Sequence, residues 1–484
     1  MPRFSLEEVI VATGGHFEAA DTTTGPGGLE ATQTRGAAVF DGVSTDSRKV
    51  TGGELFFALV GSTFDGHDFA AEAVRRGAKG VVASSSAKVA GLARSVPVIF
   101  VDDTLKALQR LARYHRCRLG IPVVAVTGST GKTTTKDMAH SIFAERMRSA
   151  RTEGNFNNEV GVPLTLLSLE ARHEICVLEL GMRGKGQIRE LAEVARPDVG
   201  IVTNVGPSHI ELLGSIENVA LAKAELVEAL GADGTAVLNA DCGHTAAMRR
   251  RTRAKAVLFG VEQDSDVRAT DIEVLGEDGT NFTMSYGQRS FRVHVPLPGV
   301  HNVYNALAAG AGALVMGMDS FAVAEGLSHF KPSHGRSGVL ESARGFTVID
   351  DTYNANPASM RAALAVLRDV AGGRRKIAVL GNMLELGEIA TEAHRELGRV
   401  AVAHGCDVLV TVGDLARLAG DEAMRLGKGA RDVITCGTGD EAIAALESLA
   451  RPGDVILVKG SRLMKMEQIV TALMGGNGGG FRES

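Results

Sequence analysis

The sequence predicts an α/β protein of three domains: a small N-terminal α/β domain, a central doubly wound P-loop sheet with an antiparallel appendage, and a C-terminal open sheet of Rossmann type. Three observations support this fold class. Apolar, β-branched strand patterns alternate with helical patterns. A strand pattern at residues 121–128 leads directly into a Gly-rich loop and a helix, and a new strand–helix series begins near Phe346. A chain of 484 residues exceeds one core, and domains of about 150 residues make three the expected number.

The N-terminal domain is expected over residues 1–116. Short strand patterns at residues 55–61 and 96–103 flank a helical pattern at residues 69–78. Strands and a helix of this length predict a small α/β unit.

The central domain is expected over residues 117–331. Its first strand pattern, at residues 121–125, is apolar and rich in β-branched side chains, as in a strand buried on both faces. Further buried strands are expected at residues 175–180, 199–205 and 235–241. Residues 267–296 differ, because two runs of mixed alternation surround the turn sequence EDGT at 277–280. This pattern predicts an antiparallel hairpin attached to the sheet.

The C-terminal domain is expected over residues 332–474, followed by a flexible Gly-rich tail at 475–484. Its strand patterns are FTVID, RKIAVLG, DVLVTVG, DVITCG and DVILVKG. The series lacks G-x-G-x-x-G, so its Rossmann-like sheet does not imply a dinucleotide.

The composition is that of a soluble globular protein. Hydrophobic residues make up 44% of the chain and charged residues 23%, and the net charge of −5 gives no broad attraction to nucleic acid or anionic lipid. Aromatic residues make up only 4%, without tryptophan, which argues against a base-stacking surface. No apolar run approaches the roughly 20 residues of a membrane span, and acidic residues interrupt the first apolar stretch, so no signal peptide is expected. The five cysteines are widely spaced and indicate reduced thiols in the cytoplasm. We therefore expect neither a nucleic acid nor a membrane as a partner.

The segment AVTGSTGKTTTKD, residues 125–137, is a shortened P-loop. The usual pattern is G-x-x-x-x-G-K-[ST], but Val126 stands at the first glycine position and the nearest earlier glycine is Gly128. The strand–loop–helix context is what a P-loop requires, because backbone N–H groups at a helix N-terminus bind phosphate. Lys132 adds a positive charge, and Thr133 offers a hydroxyl to Mg²⁺. The alternative is a Gly-rich turn before a helix.

Two polar residues follow central strands at the sheet edge where ligands collect in such folds. Glu179 ends the strand pattern ICVLEL and could hold Mg²⁺. His209 follows the strand at 199–205 within GPSHIE. The alternatives are a solvated acid and a structural histidine.

Lys223 falls within the apolar stripe of the predicted helix at residues 215–230. Ser215 is the candidate N-cap of this helix. A lysine in that position can extend its ammonium to solvent, or it can be desolvated with a lowered pKa. A neutral amine can add CO₂ and become a carbamate, which is an oxygen ligand suited to a second Mg²⁺.

Asparagine-rich segments supply further candidate binding residues. TEGNFNNEVGVP, residues 152–163, offers amide donors and acceptors, or is only a turn-rich connection. Asn302 and Asn305 lie at a helix start, where either could cap the helix or contact an adenine edge. Asp351 follows a strand and could bind a ribose hydroxyl or act as a cap. The basic run Lys459–Arg462 follows the last strand and could contact an anion.

Together these motifs resemble the Mur ligase family, whose P-loop has the short form G-x-x-G-K-T. The resemblance covers nearly the whole chain. The remaining matches are TDSR at 45–48, T-x-G-N-x-N-N at 152–158, E-x-G at 179–181, N-V-x-x-x-H at 204–209, AKAE at 222–225 and HNxxNA at 301–306.

The resemblance implies three domains, which in chain order bind the UDP-sugar, ATP and the incoming amine substrate. It also implies two Mg²⁺ ions. The implied catalytic residues are Lys132, Glu179, His209 and a carbamylated Lys223, and the implied metal ligands are Thr133, Glu179, His209 and Lys223. The expected ATP-binding residues are Gly128, Ser129, Thr130, Gly131, Lys132, Thr133, Thr134, Asn302, Arg336 and Asp351. The expected substrate-binding residues are Thr45, Asp46, Ser47, Arg48, Thr152, Asn155, Asn157, Asn158, Asn354 and Asn356.

Three segments indicate the branch of the family that adds D-alanyl-D-alanine to UDP-N-acetylmuramoyl-tripeptide. They are DDTYNANP at 350–357, LGNMLELG at 380–387 with His394, and KGSRLMKME at 459–467. The resemblance implies an ATP-dependent reaction through an acyl phosphate, in a monomer. Gln187 stands where many relatives carry Glu. The third residue of the tripeptide, diaminopimelate or lysine, stays open.

Two alternatives to this assignment are a sister ligase and a P-loop switch protein. One is the sister ligase that adds the third peptide residue, but the chain contains LGNMLELG and lacks a D-N-P-R segment. The other is a P-loop switch protein without ligase activity. Such a switch would need neither Lys223 in an apolar stripe nor a separate third α/β domain.

Overall fold

The structure is a computed structural model of the chain, and it describes residues 2–17 and 38–475. The predicted tail at 475–484 lies outside the described residues except for Gly475. The chain divides into two compact units. The first comprises Met1–Ala125, Met147–Met182 and Gly186–Asp198, and the second comprises Val126–Arg146, Arg183–Lys185 and Val199–Ser484.

The N-terminal part of the first unit is a small α/β sheet. Its strands are β1 Arg3–Ser5, β2 His16–Phe17, β3 Val39–Asp41, β4 Val43–Ser44, β5 Leu55–Phe57, β6 Gly80–Ala83 and β7 Val98–Phe100. Its helices are Leu6–Thr13, Ala70–Arg75, Ser86–Val89 and Thr104–Leu119. Five of these strands form one sheet in the order β2-β7-β6-β5-β4, with only β2 antiparallel to its neighbour. Strands β1 and β3 pair with each other in a separate antiparallel sheet. The strands predicted at 55–61 and 96–103 are present but shorter.

The remainder of the first unit supplies two parallel strands. Strand β8, Val123–Thr127, crosses the boundary between the units, and β9, Ser149–Arg151, pairs in parallel with β10, Ile175–Glu179. Helices Gly161–Leu167 and Gln187–Ala195 accompany them. All residues of β8 and β10 are buried, which explains their unbroken apolar sequences.

The second unit continues with parallel strands and then turns antiparallel. Its strands in this region are β11 Val199–Val202, β12 Thr235–Asn239, β13 Lys255–Gly260, β14 Val267–Val274, β15 Thr280–Tyr286 and β16 Arg289–Val295. Its helices are Lys132–Ala144, Ile210–Leu213, Ile216–Glu228, Gly243–Ala247, Val300–Val315 and Ser320–Ser328. Strands β11 to β14 are parallel, whereas β15 and β16 run antiparallel to their neighbours.

The antiparallel appendage is confirmed, but the prediction of two runs around one turn was wrong. Three strands are present, because a second reversal at Gly287 follows the turn at Gly276–Asp278. The alternating pattern hid this reversal, since β15 and β16 have the same period of two.

The C-terminal region of the second unit is a Rossmann-like sheet. Its strands are β17 Gly338–Glu341, β18 Thr347–Asp350, β19 Lys376–Gly381, β20 Val408–Val412, β21 Val433–Cys436 and β22 Val455–Lys459, in the order β17-β18-β22-β19-β20-β21. Its helices are Pro357–Ala371, Ala390–Ala403, Asp414–Arg425, Gly439–Leu449 and Glu467–Leu473. Apolar clusters cover both faces of the sheet. Only the edge strand β17, which the sequence did not predict, is antiparallel.

The predicted fold class is confirmed: the protein is α/β, with sheets rich in parallel strands in each of the three predicted regions. The domain boundaries at residues 116/117 and 331/332 stay predictions. Within residues 2–17 and 38–475, no helix combines the length and the apolar character needed to cross a bilayer.

Candidate functional site

The P-loop of the second unit depends on a glycine at its start. Gly128 has φ 155°, and a Cβ placed there would lie 1.9 Å from Oγ1 of Thr203. That distance is far inside van der Waals contact, so no larger residue fits. The close approach explains why the shortened motif begins at Gly128 and not at residue 126.

Polar groups after β11 hold the loop from one side. Oγ1 of Thr203 donates to the carbonyl of Thr130 at 2.6 Å, and Oδ1 of Asn204 accepts from the N–H of Thr130 at 3.0 Å. Oγ of Ser129 donates to the carbonyl of Gly206 and accepts from its N–H, both at 2.9 Å. The loop conformation is therefore fixed by the protein before any phosphate binds.

The opposite side of the loop packs on helix Val300–Val315. Gly131 has φ 78°, and a Cβ there would lie 2.2 Å from Oδ1 of Asn305. Asn305 donates to Oδ1 of Asn302 at 3.1 Å, and Asn302 donates to the carbonyl of Pro298 at 2.9 Å. Both asparagine side chains are buried and serve this internal chain of bonds. A contact of Asn302 with adenine stays a prediction.

Two cationic side chains lie at the N-terminus of helix Lys132–Ala144. Nζ of Lys132 donates to the carbonyl of Gly128 at 2.9 Å. Nη2 of Arg336 donates to Oγ1 of Thr133 at 3.0 Å. The helix begins at Lys132 without a side-chain cap, as helices that bind phosphate at their N-terminus do. The structure therefore brings Arg336, which the family resemblance singled out, to the P-loop.

Lys223 is buried, which is one of the two outcomes that its place in the apolar stripe left open. Its residue exposure is 2%, and it lies in helix Ile216–Glu228, whose first turn is capped by Oγ of Ser215 accepting from the N–H of Asn218. Burial holds the pKa of the Lys223 ammonium well below its usual value, and the charge of Lys132 lowers it further. The alternative in which the ammonium extends to solvent is wrong for this structure.

His209 lies between these lysines and the C-terminal region. Burial lowers the pKa of its imidazole; the carboxylate of Glu385 opposes this effect, and the charges of Lys132 and Lys223 add to it. Nδ1 of His209 is 2.7 Å from Oε2 of Glu385, although the approach is too oblique for a straight hydrogen bond. Both residues have left-handed backbones, with φ of 54° and 60°. Such conformations are uncommon outside glycine and cluster at functional sites.

Lys132, His209 and Lys223 together form a cationic group around the P-loop. The charge of Lys132 disfavours protonation of Lys223, and the charges of both lysines disfavour protonation of His209. Converging positive charge with a phosphate-binding loop suits a polyphosphate anion.

In the first unit, Glu179 is held by the asparagine-rich segment. Nδ2 of Asn157 donates to Oε1 of Glu179 at 2.8 Å, and the backbone N–H of Glu179 donates to Oγ1 of Thr152 at 3.1 Å. Glu179 is buried, with 3% exposure. A buried carboxylate that accepts an amide hydrogen bond fits a charged, ligand-binding role better than a solvated strand-end acid.

The other two asparagines of this segment have different places. Oδ1 of Asn158 accepts from the N–H of Gly161 at 2.8 Å, just before helix Gly161–Leu167. Asn155 is exposed, and its carbonyl accepts from the N–H of Asn157 at 2.7 Å. Asn158 therefore already has a structural partner, and substrate contacts of both residues stay predictions.

The TDSR segment forms a short turn with an internal ion pair. Arg48 meets the carboxylate of Asp46 through two hydrogen bonds of 2.9 and 2.8 Å, and the Arg48 side chain holds the pKa of Asp46 below its usual range. Ser47 is buried, whereas Thr45 is half-buried and Arg48 is exposed. The contact of residues Thr45 to Arg48 with a UDP-sugar stays a prediction.

In the DDTYNANP segment, several predicted binding residues have structural partners. Asp351 pairs with buried Lys459 at 2.6 Å. Nζ of Lys459 also donates to the carbonyl of Asn354 at 2.8 Å. Asn356 caps helix Pro357–Ala371 in a reciprocal bond pair with Ser359. A cap of this kind stabilises by about 1 kcal/mol. The first lysine of the basic run at 459–462 is therefore already paired with a carboxylate.

Two supporting residues were missed or not assigned a role from the sequence. Asp241, which follows β12, accepts from three backbone N–H groups and from the hydroxyl of Tyr304 at 2.7 Å. Buried His394 accepts from the N–H of Met383 at 3.0 Å and lies 2.7 Å from the carbonyl of Ala390. His394 thus supports the LGNMLELG loop. An acid at the end of TAVLNAD was the one available signal for Asp241.

Comparison with known proteins agrees with these motifs. Three profiles match the chain: "Mur ligase family, catalytic domain" at residues 39–116, "Mur ligase middle domain" at 126–313 and "Mur ligase, glutamate ligase domain" at 335–462. The chain belongs to the Mur ligase family. The resemblance predicted from the sequence is confirmed.

Three of the similar proteins carry the name of one branch of this family. The UDP-N-acetylmuramoyl-tripeptide–D-alanyl-D-alanine ligase of Bacillus subtilis is 38% identical over 437 residues, covering 90% of this chain and 93% of the relative. The crystal structure of MurF from Acinetobacter baumannii superposes with a TM-score of 0.86 at 32% identity, covering 98% of this chain and all of the other. MurF of Thermotoga maritima, solved in complex with ADP, superposes with a TM-score of 0.78 at 28% identity. The match covers 90% of this chain and 97% of the other.

Proposed function

We propose that this protein is the ATP-dependent ligase that joins D-alanyl-D-alanine to UDP-N-acetylmuramoyl-tripeptide, a cytoplasmic step of peptidoglycan synthesis. The observation that carries the proposal is the P-loop with Lys132 and Arg336 beside it and buried Lys223 in the same cationic group. The names of the similar proteins support the branch. The free state of all five cysteines is compatible with the cytoplasm.

The reaction requires activation of a carboxylate, which is a poor electrophile. ATP would transfer its terminal phosphoryl group to the tripeptide carboxylate. The dipeptide amine would then attack the acyl phosphate and release phosphate. Lys132 and Arg336 would bind the phosphates and offset the repulsion between triphosphate and carboxylate. Closure of the C-terminal region would exclude water from the acyl phosphate.

Magnesium fits the residues present. Within the described part of the chain, no three His, Cys, Asp or Glu side chains are placed together as a metal cage. Mg²⁺ is instead commonly held by one or two carboxylates with substrate phosphates. The first unit offers the carboxylate of Glu179 as a candidate ligand, and the second unit offers the hydroxyl of Thr133, the imidazole of His209 and a modified Lys223. Two bound ions would supply charge neutralisation at the transferring phosphoryl group.

We propose that Lys223 is carbamylated. Burying an ammonium costs several kcal/mol before any partner offsets it. Burial and the charge of Lys132 both lower the pKa of Lys223, so the neutral amine is favoured. Its lone pair can attack CO₂, with loss of one proton, to give a carbamate anion. The carbamate carries a negative charge where the neutral amine carried none, and it supplies an oxygen ligand.

The substrate assignments follow the order of domains. Residues 1–116 would bind the UDP-sugar, including Thr45 to Arg48. Residues 117–331 would bind ATP, and residues 332–474 would bind the dipeptide. A monomer contains each of these parts, and we propose that the protein acts as one.

Amine selectivity tests the proposed branch. With ATP, Mg²⁺ and the UDP-linked tripeptide, product should form with D-alanyl-D-alanine and not with free diaminopimelate or lysine. Mass spectrometry of the UDP-linked product measures this directly. Paired reactions with tripeptides ending in diaminopimelate and in lysine would identify the third residue.

The control is the UDP-linked dipeptide, the acceptor of the sister ligase. Equal turnover with free diaminopimelate or lysine on either acceptor would assign the chain to the sister activity.

A further inference from the structure

The guanidinium of Arg336 lies over the aromatic ring of Tyr353, a residue to which the sequence assigned no role in binding or catalysis. Cζ of Arg336 is 3.7 Å from the ring centroid of Tyr353, well within the range of a cation–π contact. Cζ of Arg462 lies 5.8 Å from the same centroid. Tyr353 is therefore the platform beneath one arginine and is near a second.

The backbone around Arg336 is built for this contact. The N–H of Tyr353 donates to the carbonyl of Gly335 at 3.2 Å. Gly335 has φ 70°, and a Cβ there would lie 3.0 Å from the nitrogen of Tyr353. Ser337, on the other side of Arg336, has φ 55°, a strained conformation for serine. Two left-handed residues thus flank the arginine and set its side chain over the ring.

One donor of the guanidinium contacts the P-loop, and another is buried without a partner in the described part of the chain. Nη2 donates to Oγ1 of Thr133 at 3.0 Å. Nε is buried and has no hydrogen-bond partner within the described residues. A desolvated guanidinium N–H without a partner is unfavourable unless an acceptor arrives. Beside a P-loop, the acceptor suited to a planar guanidinium is a phosphate oxygen.

We propose that Tyr353 is a positioning residue for the terminal phosphate of ATP. Its ring fixes the plane of Arg336, so that the guanidinium meets the third phosphate in a single orientation. The proposal rests on the proposed ATP-dependent function. It adds that Tyr353 helps the site to bind a nucleoside triphosphate more tightly than a diphosphate. If Tyr353 only packed against its neighbours, its loss would lower stability but would affect the binding of ATP and ADP equally.

Nucleotide affinity separates these roles without requiring turnover. Calorimetry would measure binding of a non-hydrolysable ATP analogue and of ADP, each with Mg²⁺. We expect Tyr353→Leu to weaken the analogue about tenfold, the size of a desolvated cation–π contact, and to change ADP affinity less than about twofold. Tyr353→Phe should match the wild type for both nucleotides, because it keeps the ring. Tyr286→Leu, a half-buried tyrosine of β15, is the matched control and should change neither affinity.

A double-variant cycle links the effect to Arg336. If Tyr353 acts through Arg336, Tyr353→Leu should add little to the loss of analogue affinity caused by Arg336→Ala. Should Tyr353→Leu fail to fold, Arg336→Lys tests the same point, because an ammonium keeps the charge without the plane; it should show the same selective loss.

Three results would overturn the inference. They are equal losses for the analogue and ADP, a Tyr353→Phe variant as weak as Tyr353→Leu, or fully additive losses in the cycle. The proposed function fails in a different way: the wild type itself would then show no Mg²⁺-dependent binding of the analogue.

Discussion

Replacing Lys132 by alanine is expected to lower kcat by about a hundred- to a thousandfold, the usual effect of removing one donor from a preorganised site. The fold should be nearly unchanged. Thr203 and Asn204 hold the loop through Thr130, so the backbone does not depend on the lysine. Steady-state kinetics with thermal unfolding of the same preparation measures both quantities.

The matched control is Lys255→Ala, which removes an exposed lysine at the start of β13. The variant should retain wild-type kcat, since the ammonium of Lys255 is exposed to solvent. Near-normal turnover by a folded Lys132→Ala variant would refute the P-loop assignment.

Replacing Lys223 by alanine should lower kcat by about a thousandfold, because several kcal/mol of charge stabilisation at the metal site are lost. Added short-chain carboxylates should restore part of the activity by occupying the position of the carbamate. Activity against carboxylate concentration, with and without bicarbonate, measures the effect.

The Lys223→Arg variant is the control that distinguishes a role of the positive charge at residue 223 from a role of the carbamate. Lys223→Arg keeps a cation but cannot form the carbamate, so it should be as inactive as the alanine variant. A fully active alanine variant, or activity in the arginine variant near that of the wild type, would refute carbamylation while leaving the ligase assignment intact.

Features with a local cause could be predicted from the sequence. The helix that carries Lys223 shows its apolar stripe at a period of 3.6. The pattern located the lysine on the buried face, but only the structure decides that its side chain is buried. The buried strands β8 and β10 are unbroken apolar runs, which periodicity detects directly. The P-loop is recognisable because loop, charge and helix start are contiguous in the chain.

Features that depend on distant partners could not be predicted. Nothing near Arg336 in the sequence reveals the ring of Tyr353, and nothing near His209 reveals Glu385. Asn356 was expected to bind substrate, but its place before Pro357 also makes it a helix cap, and the structure shows the cap. Polar residues at strand ends can serve either purpose, and only the folded neighbours decide between them.

Phosphate release by the purified chain tests the proposed activity most directly. The tripeptide-linked UDP-sugar and D-alanyl-D-alanine would be supplied separately and together, each with ATP and Mg²⁺. Sustained release should occur only when both are present, with one phosphate for each peptide bond formed. Release that proceeds with ATP alone and is unchanged by both substrates would contradict the ligase function and favour a P-loop switch.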